Sequence, residues 1–400
     1  MKYDKIAQGV TYIGVDDLDI DFFEGQYEVP LGVSYNSYLI DDEKVAIMDT
    51  VDARKTDEWL ENLDKALAGK TPSYLIVQHL EPDHAGSVMA VLGKYPDMKV
   101  ICSRKAEPMF ERFFDVQLGE RLQTVQEGET LSLGEHTLQF FMAPMVHWPD
   151  NMVTYSAYDK ILYSNDAFGQ HMTTTKRFDY EVDLSETLEE AKAYYANICW
   201  PYSAEVATTV KAVKGLDIDL IMPAHGIIWK DHIQTIIDCY DKWDSGTDDG
   251  SAIVVYNSMY QTTYTMALAV VEAFAQSGIE TRLFDLANTH YSRVTPALLE
   301  AKYLAVGTST HYRNMLPEVA EFLTFMKSLV PPKPNKFAFA FGSYGWSGEA
   351  TKEVNDVLKA ANFDILMDPI SHNWTLDLDS MGEICDQVKA AIANQAKSAS

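Results

Sequence analysis

Four hundred residues with Lys+Arg 32 against Asp+Glu 59 carry a formal charge of -27, a field that repels phosphate backbones and anionic lipid and so sets aside nucleic acid and membrane surfaces as partners. Hydrophobic residues at 47% and aromatics at 12% exclude a disordered or low-complexity chain, and the length exceeds what one core usually organises, so two domains are expected. Cys102, Cys199, Cys239 and Cys385 lie far apart without a CxxC, which excludes a disulfide framework and a thiolate metal site.

The opening MKYDKIAQGVTYIGV holds no signal-peptide core or cleavage site, and no apolar run approaches the roughly 20 residues of a spanning helix. A cytoplasmic location is therefore expected. SYNSYLI and KVAIMDT flank the turn DDEK and predict a hairpin. The helical stretch RKTDEWLENLDKALAG leads to the strand YLIVQHL. The strands KVICS, HTLQFFMAP, KILYSNDAF and LIMPAH follow, with SETLEEAKAYYANI as a further helix. Hairpins mixed with helices predict an α+β sandwich, two sheets layered between helices. The small, acidic DSGTDDG at 244–250 has nothing apolar to bury and marks a boundary. Domain one is placed at 1–245 and domain two at 251–400. In the second, AIVVY, TRLFDL, YLAVGTS, KFAFAFGS and DILMD alternate with helices. That is the pattern of an α/β doubly wound parallel sheet, whose ligands bind beyond the carboxyl ends of its strands.

Where YLIVQHL runs into EPDHAGS stand His79, Glu81, Asp83 and His84, four metal-competent side chains within six residues. Alternation along an extended chain puts His79, Glu81 and Asp83 on one side, with His84 turning into the next helix. His147, Asp166 and His225 follow the ends of three other strands, where a rigid scaffold presents functional groups. Taken singly, each has an ordinary reading as a turn, cap or core residue. Four imidazoles and three carboxylates together point to a shared site. Seven donors exceed one open mononuclear site and suit two metals sharing a carboxylate. So many oxygen donors favour iron or manganese over zinc.

The pattern H-x-E-x-D-H, then H, D and H, resembles that of the flavodiiron proteins. The words MVHWPDNM, SNDAFGQH and AHGIIW around His147, Asp166 and His225 match as well. The likeness covers nearly the whole chain. It implies a metallo-β-lactamase-like αββα sandwich carrying a diiron site over 1–245 and a flavodoxin-like FMN-binding domain over 251–400. It implies further that His79, Glu81 and His147 bind one iron, that Asp83, His84 and His225 bind the other, and that Asp166 bridges them. The related hydrolases carry H-x-H-x-D-H, so Glu81 is what separates the iron oxidoreductases from them.

YNSMYQTTYTMA, after the first strand of domain two, offers the hydroxyls of Ser258, Thr262 and Thr263 and a helix N-terminus, a phosphate site that needs no cation. A plain polar N-cap is the alternative. The loop resembles the flavodoxin phosphate loop in its flavodiiron form. GTSTHYRNMLP at 307–317 and GSYGWSGE at 342–349 follow the third and fourth strands. Glycines beside Tyr344 and Trp346 would let the backbone approach an isoalloxazine ring while the aromatics pack on it; burial of Trp346 in the core is the alternative. The candidate cofactor set is Ser258, Met259, Tyr260, Gln261, Thr262, Thr263, Thr310, His311, Asn314, Ser343, Tyr344, Gly345 and Trp346. The middle loop departs from the family form, roughly G-S-P-T-x-N-N-x-x-L-P. Ser309 stands for the proline and Tyr312-Arg313 for the asparagine pair, which bears on the polar contacts of this loop to the flavin.

The resemblance implies an oxidoreductase that reduces O2 to water, NO to N2O, or both, with electrons passing through FMN to two Fe. His171 and Tyr195, near motif words, are candidates to relay protons or support the ligands. No rubredoxin-like cysteine pair or reductase segment stands in the sequence, so a separate rubredoxin-like protein or a reduced deazaflavin is expected as electron donor. The family's head-to-tail arrangement implies a homodimer or tetramer. The alternative is a zinc metallo-hydrolase with an attached flavodoxin-like domain, against which Glu81 stands. A flavin carrier with a degenerate metal domain fails because no ligand position is lost.

Overall fold

Runs rich in Val, Ile and Tyr build two facing sheets in the first half of the chain. The computed structural model describes residues 5–332 and 334–398. It divides into one unit of Met1–Tyr194 with Tyr202–Asp241 and another of Tyr195–Pro201 with Lys242–Ser400. The first sheet of the first unit orders its strands Lys5–Ala7, Val10–Tyr12, Tyr38–Ile40, Ala46–Met48, Tyr74–Val77, Lys99–Ser103 and Leu122–Val125. The hairpin expected around DDEK is present, with Tyr38 opposite Met48 and Ile40 opposite Ala46. The second sheet orders Thr130–Ser132, Thr137–Met142, Met152–Ser156, Ile161–Asn165 and Leu220–Pro223.

Alternation decides which side chains face inward. Phe140 and Met152 meet Ile40, Met48 and Ile76 between the sheets, while their neighbours Phe141 and Val153 face outward beside the helix Ser203–Val213. The helices Thr56–Leu67 and Ala106–Phe114 pack on the first sheet. The expected αββα sandwich is therefore formed. The helix predicted over 185–198 is two pieces. Leu184–Tyr194 is α-helical and Tyr195–Cys199 is a π-helical turn, and the change of winding falls where the chain passes from the first unit to the second.

In the second unit Ala252–Tyr256 lies between Thr281–Asp285 and Tyr303–Ser309, and Phe337–Tyr344 follows, all parallel. The expected last strand, DILMD, is shorter than its apolar run. Only Asp364–Ile365 pairs with the sheet, and a further strand, Ile370–Asn373, takes over against Phe341 to Tyr344. Pro369 sits just before this second piece and has no N–H to continue a ladder. The order reverses direction between Ala252–Tyr256 and Tyr303–Ser309, so the loops after these two strands open side by side. Among the described residues no helix is long and apolar enough to cross a membrane.

Candidate functional site

The seven predicted metal donors converge at the carboxyl ends of strands from both sheets of the sandwich. His79 stands two residues beyond Tyr74–Val77, Asp166 directly follows Ile161–Asn165, and His225 stands two beyond Leu220–Pro223. His147 lies in the turn between Thr137–Met142 and Met152–Ser156. The donor atoms fall into two groups, His79, Glu81, His147 and Asp166 in one and Asp83, His84 and His225 in the other, with the atoms of each within 4.8 Å of one another. Strand alternation does not carry through the motif. The strand ends at Val77, and Pro82 opens a helical turn, Pro82–Ala85, that swings Asp83 away from Glu81 and toward His84 and His225.

Asp166 joins the groups. Its Oδ1 lies 2.8 Å from His84 Nε2 and 3.7 Å from His225 Nε2, while its Oδ2 lies 3.7 Å from His79 Nε2 and 3.6 Å from His147 Nε2. Within the first group Glu81 Oε2 lies 2.9 Å from His147 Nε2 and 3.2 Å from His79 Nε2. Within the second, Asp83 Oδ2 lies 3.0 Å from His225 Nε2 and 3.4 Å from His84 Nε2.

The outer nitrogens of two imidazoles are already committed. His79 Nδ1 lies 3.2 Å from Asp150, which also takes the Leu80 N–H, and His225 Nδ1 donates to the Ser34 carbonyl at 2.8 Å. Each bond fixes the tautomer that turns Nε2 into the cluster. Asp150 was not singled out in the sequence because it lies in a loop beside a more conspicuous histidine.

The donor set fits cations. Asp83 Oδ1 and Asp166 Oδ2 are buried without a hydrogen-bond partner, a costly state for carboxylate oxygens. Burial opposes charge on His84, yet Asp83 and Asp166 push its pKa up to about 10. Burial likewise opposes the charge on Glu81 and Asp166, but hydrogen bonds from His147 and His79 to the first, and His84 beside the second, hold both carboxyls far below the usual range. These carboxylates call for positive charge, which metal ions bound to neutral imidazoles would supply.

An aromatic wall surrounds the second group. Phe23 lies 4.3 Å from His171 and 5.8 Å from His225, ring centre to ring centre, and Tyr35 lies 6.0 Å from His225. His171 is buried 5.3 Å from His225, and burial together with His225 keeps its pKa well below the ordinary value, so it is neutral. Tyr195 requires a correction. Its hydroxyl donates to Asp244 and its ring packs on Trp243; the ring that meets His171 at 4.8 Å and His225 at 6.0 Å belongs to Tyr194. Neighbouring residues on a helix point about 100° apart, so with Tyr194 facing His225 its neighbour Tyr195 faces elsewhere. Glu24, absent from the sequence reading, sits in a left-handed turn between Phe22–Phe23 and Tyr27–Glu28. The residue is exposed, but burial of its carboxyl and a hydrogen bond with Glu81 push its pKa up to about 9.

In the second unit the three predicted loops stand at the carboxyl ends of Ala252–Tyr256, Tyr303–Ser309 and Phe337–Tyr344. Three hydroxyls tie them together. Thr263 Oγ1 lies 2.9 Å from Ser309 Oγ and 2.8 Å from Ser343 Oγ, and Ser309 Oγ accepts the Met259 N–H at 3.3 Å. Thr263 is fully buried, so its reading as a phosphate ligand is corrected: the hydroxyl is spent on loop-to-loop bonds. Ser258 Oγ is different. It is buried without a hydrogen-bond partner, which fits a group reserved for a phosphate oxygen. Gln261 takes a left-handed conformation just before the helix Thr262–Gln276.

Around these loops Tyr260, Tyr312 and Trp346 are exposed, Trp346 to 89%, which removes core burial as an account of that tryptophan. Tyr344, Thr310 and His311 are half-buried, and His311 and Asn314 bridge the middle loop through paired backbone bonds. Of the departures in that loop, Ser309 supplies bonds a proline could not make. Arg313 pairs with Glu349 at 3.0 Å, with both Tyr312 and Arg313 in left-handed conformations.

Known proteins match this chain over both units. The model of the ODP family beta lactamase matches residues 33–226 and that of flavodoxin residues 254–397. A nitric oxide reductase of Moorella thermoacetica is 35% identical over 91% of each chain. The solved rubredoxin oxygen:oxidoreductase of Desulfovibrio gigas has a TM-score of 0.94 at 32% identity and 100% coverage of both chains. The flavodiiron protein of Giardia intestinalis has a TM-score of 0.93 at 31% identity, covering 99% of this chain and 98% of that one.

Proposed function

The chain belongs to the flavodiiron protein family, and from that premise we propose that it is an oxidoreductase reducing O2 to water, NO to N2O, or both. The names of its relatives, nitric oxide reductase and rubredoxin-oxygen oxidoreductase, support these substrates. The observation that carries the reading is the two-sided carboxylate of Asp166, with one oxygen toward each donor group.

His79, Glu81 and His147 would hold one iron, Asp83, His84 and His225 the other, and Asp166 both. Ser258 and the Met259–Thr262 backbone would hold the FMN phosphate. Thr310, His311, Asn314, Tyr344, Gly345 and Trp346 would border its ring, with Thr263 and Ser343 supporting the loops. When bound, FMN collects electrons and the iron pair binds and reduces the diatomic molecule. The protein's part is to fix the donors. Asp150 and the Ser34 carbonyl orient His79 and His225, and the Phe23, Tyr35 and Tyr194 rings limit water around the second group. His171, neutral and buried among those rings, supports His225 by packing.

The proposal includes a separate donor, a rubredoxin-like protein or a reduced deazaflavin, a cytoplasmic location, and a head-to-tail homodimer or tetramer. A zinc hydrolase is disfavoured by Glu81, a carboxylate standing within 3.2 Å of two imidazoles where the hydrolases carry a histidine. The test is metal and flavin analysis of protein from iron-replete cells, followed by O2 and NO consumption by the pre-reduced enzyme. An iron pair, one FMN per chain and turnover of either gas are expected. Stoichiometric zinc with neither gas consumed would overturn the reading.

A further inference from the structure

A row of buried polar atoms without hydrogen-bond partners runs through the interior of the sandwich. Thr154 and Ser156, two apart on the strand Met152–Ser156, point to the same side as Met152, the side that faces the first sheet. Tyr163 is the cross-strand partner of Thr154. Thr154 Oγ1, Ser156 Oγ and Tyr163 Oη are all buried and unpartnered. At one end stands Asp159, in the turn between Met152–Ser156 and Ile161–Asn165. Its Oδ1 is buried without a hydrogen-bond partner, and its Oδ2 pairs with His136 Nε2 at 3.4 Å. The charge of Asp159 reaches Tyr163, whose pKa it helps to raise after burial.

The other end lies behind the metal donors. Gln78 adjoins His79; its Oε1 is buried and unpartnered, and its Nε2 donates to Asp49 at 2.9 Å. Its carbonyl accepts the N–H of Met152, at the head of the strand that carries Thr154. Asp49 also accepts from Asn165, the residue before Asp166. Tyr38 does not belong to the row, since its hydroxyl donates to the Pro223 carbonyl at 2.8 Å.

Polar atoms enclosed without a protein partner carry the full penalty of lost hydration. Internal water satisfies such atoms in many proteins, each molecule bridging two to four groups. The reaction proposed above consumes one proton for each electron, whether O2 goes to water or NO to N2O and water. The donor groups that would host it are almost entirely buried.

We propose that this row is a water-filled proton path, from the Asp159–His136 end through Ser156, Tyr163 and Thr154 to Gln78 and Asp49 behind the metal centre. The proposal rests on the reductase reading. Each proton enters from bulk water, moves by exchange between waters and hydroxyls, and leaves every side chain as it was. The electrons arrive separately through the flavin. The path residues act by positioning water and touch neither substrate nor metal.

The test combines a structure with kinetics on the holoenzyme. A high-resolution crystal structure should show ordered waters against Thr154 Oγ1, Ser156 Oγ and Tyr163 Oη. The near-isosteric pair Thr154→Val and Ser156→Ala should lower gas-reducing turnover on the order of 10-fold and raise the solvent deuterium isotope effect, with iron content, FMN content and flavin reduction rate unchanged. Should that pair fail to fold, Tyr163→Phe carries the same expectations with one hydroxyl removed. A dry row in an active wild-type enzyme, or variants with wild-type turnover and isotope effect, would overturn the path while leaving the reductase reading intact. Wild-type holoenzyme that reduces neither gas would overturn the reductase reading, and the proton role with it.

Discussion

Asp166 and His84 meet at 2.8 Å through one carboxylate oxygen, which leaves the other oxygen facing His147 and His79. One side chain therefore belongs to both donor groups, while His84 belongs to one. Asp166→Ala should empty or scramble both metal positions and lower turnover by at least about 100-fold, whereas His84→Ala should cost on the order of 10-fold, since water can replace a terminal imidazole. Metal analysis beside steady-state rates checks this. An aspartate variant that kept both irons and most of its activity would show that Asp166 does not bridge.

Glu81 supplies the oxygen that sets the first group apart from an all-imidazole site. Glu81→His should weaken iron, shift the bound metal toward zinc and abolish gas reduction, because a softer donor replaces a hard one. FMN content should stay normal, as the flavin loops lie in the other unit. Unchanged turnover in an iron-loaded variant would remove Glu81 from the ligand set.

Ser309 replaces the family's proline and ties the phosphate loop to two neighbouring strand ends. Ser309→Ala removes the hydroxyl contact with Thr263 and leaves the Met259 N–H short of an acceptor, a loss of about 1 kcal/mol per buried bond. FMN titration of the apoprotein should show several-fold weaker binding, with iron content unaffected. Equal affinity would mean that the hydroxyl cluster does not shape the flavin site.

His136 is held between Asp159 and Asp42, and these carboxylates raise its pKa against the opposing effect of burial. A group whose folded pKa is raised stabilises the fold fully below its unfolded value, about 6.5, and that contribution fades as pH climbs through the folded value. Asp42 carries the opposite sign. Burial raises its pKa, but hydrogen bonds from His136 and neighbouring N–H groups bring it down to about 2, so its contribution is lost only in strong acid. Thermal melting of wild type against His136→Ala should show a stability gap that narrows as pH rises above about 6.5. A gap independent of pH in that range would show that the imidazole is neutral in the fold.

Assembly is tested by complementation. A His79→Ala chain lacks a working metal site, and a Ser258→Asp chain carries a phosphate loop that repels FMN. In a head-to-tail dimer the mixed species pairs one intact flavin with one intact iron site, and should recover up to about half of wild-type turnover. A mixed dimer as inactive as its parents, with each cofactor at half occupancy, would place electron transfer within one chain.

Much of this was written in short stretches of chain. His79, Glu81, Asp83 and His84 stand within six residues, so their chemistry declares itself before any folding. The strict strand–helix alternation after 251 leaves one economical topology, because parallel neighbours need helical crossovers. Glu81 alone separated an iron site from a zinc hydrolase.

Other features depend on groups that meet only when the chain closes. The split of the motif between two donor groups follows from the helical turn at Pro82, which period-2 alternation could not foresee. Tyr194 faces His225 while Tyr195 turns to Asp244, a choice between two adjacent tyrosines that only the placement of the helix decides. Glu24 sits in a hairpin turn 57 positions before Glu81 along the chain, yet Glu81 helps to raise its pKa. Thr263 reads as a free hydroxyl until Ser309 and Ser343, 46 and 80 residues on, surround it. The unpartnered polar row is the extreme case. Thr154, Ser156 and Tyr163 look like ordinary strand residues, and only the closing of one sheet on the other removes them from water. Residue type fixes which chemistry a side chain can perform, but desolvation and partner geometry decide whether it performs it, and both are properties of packing between segments distant in sequence.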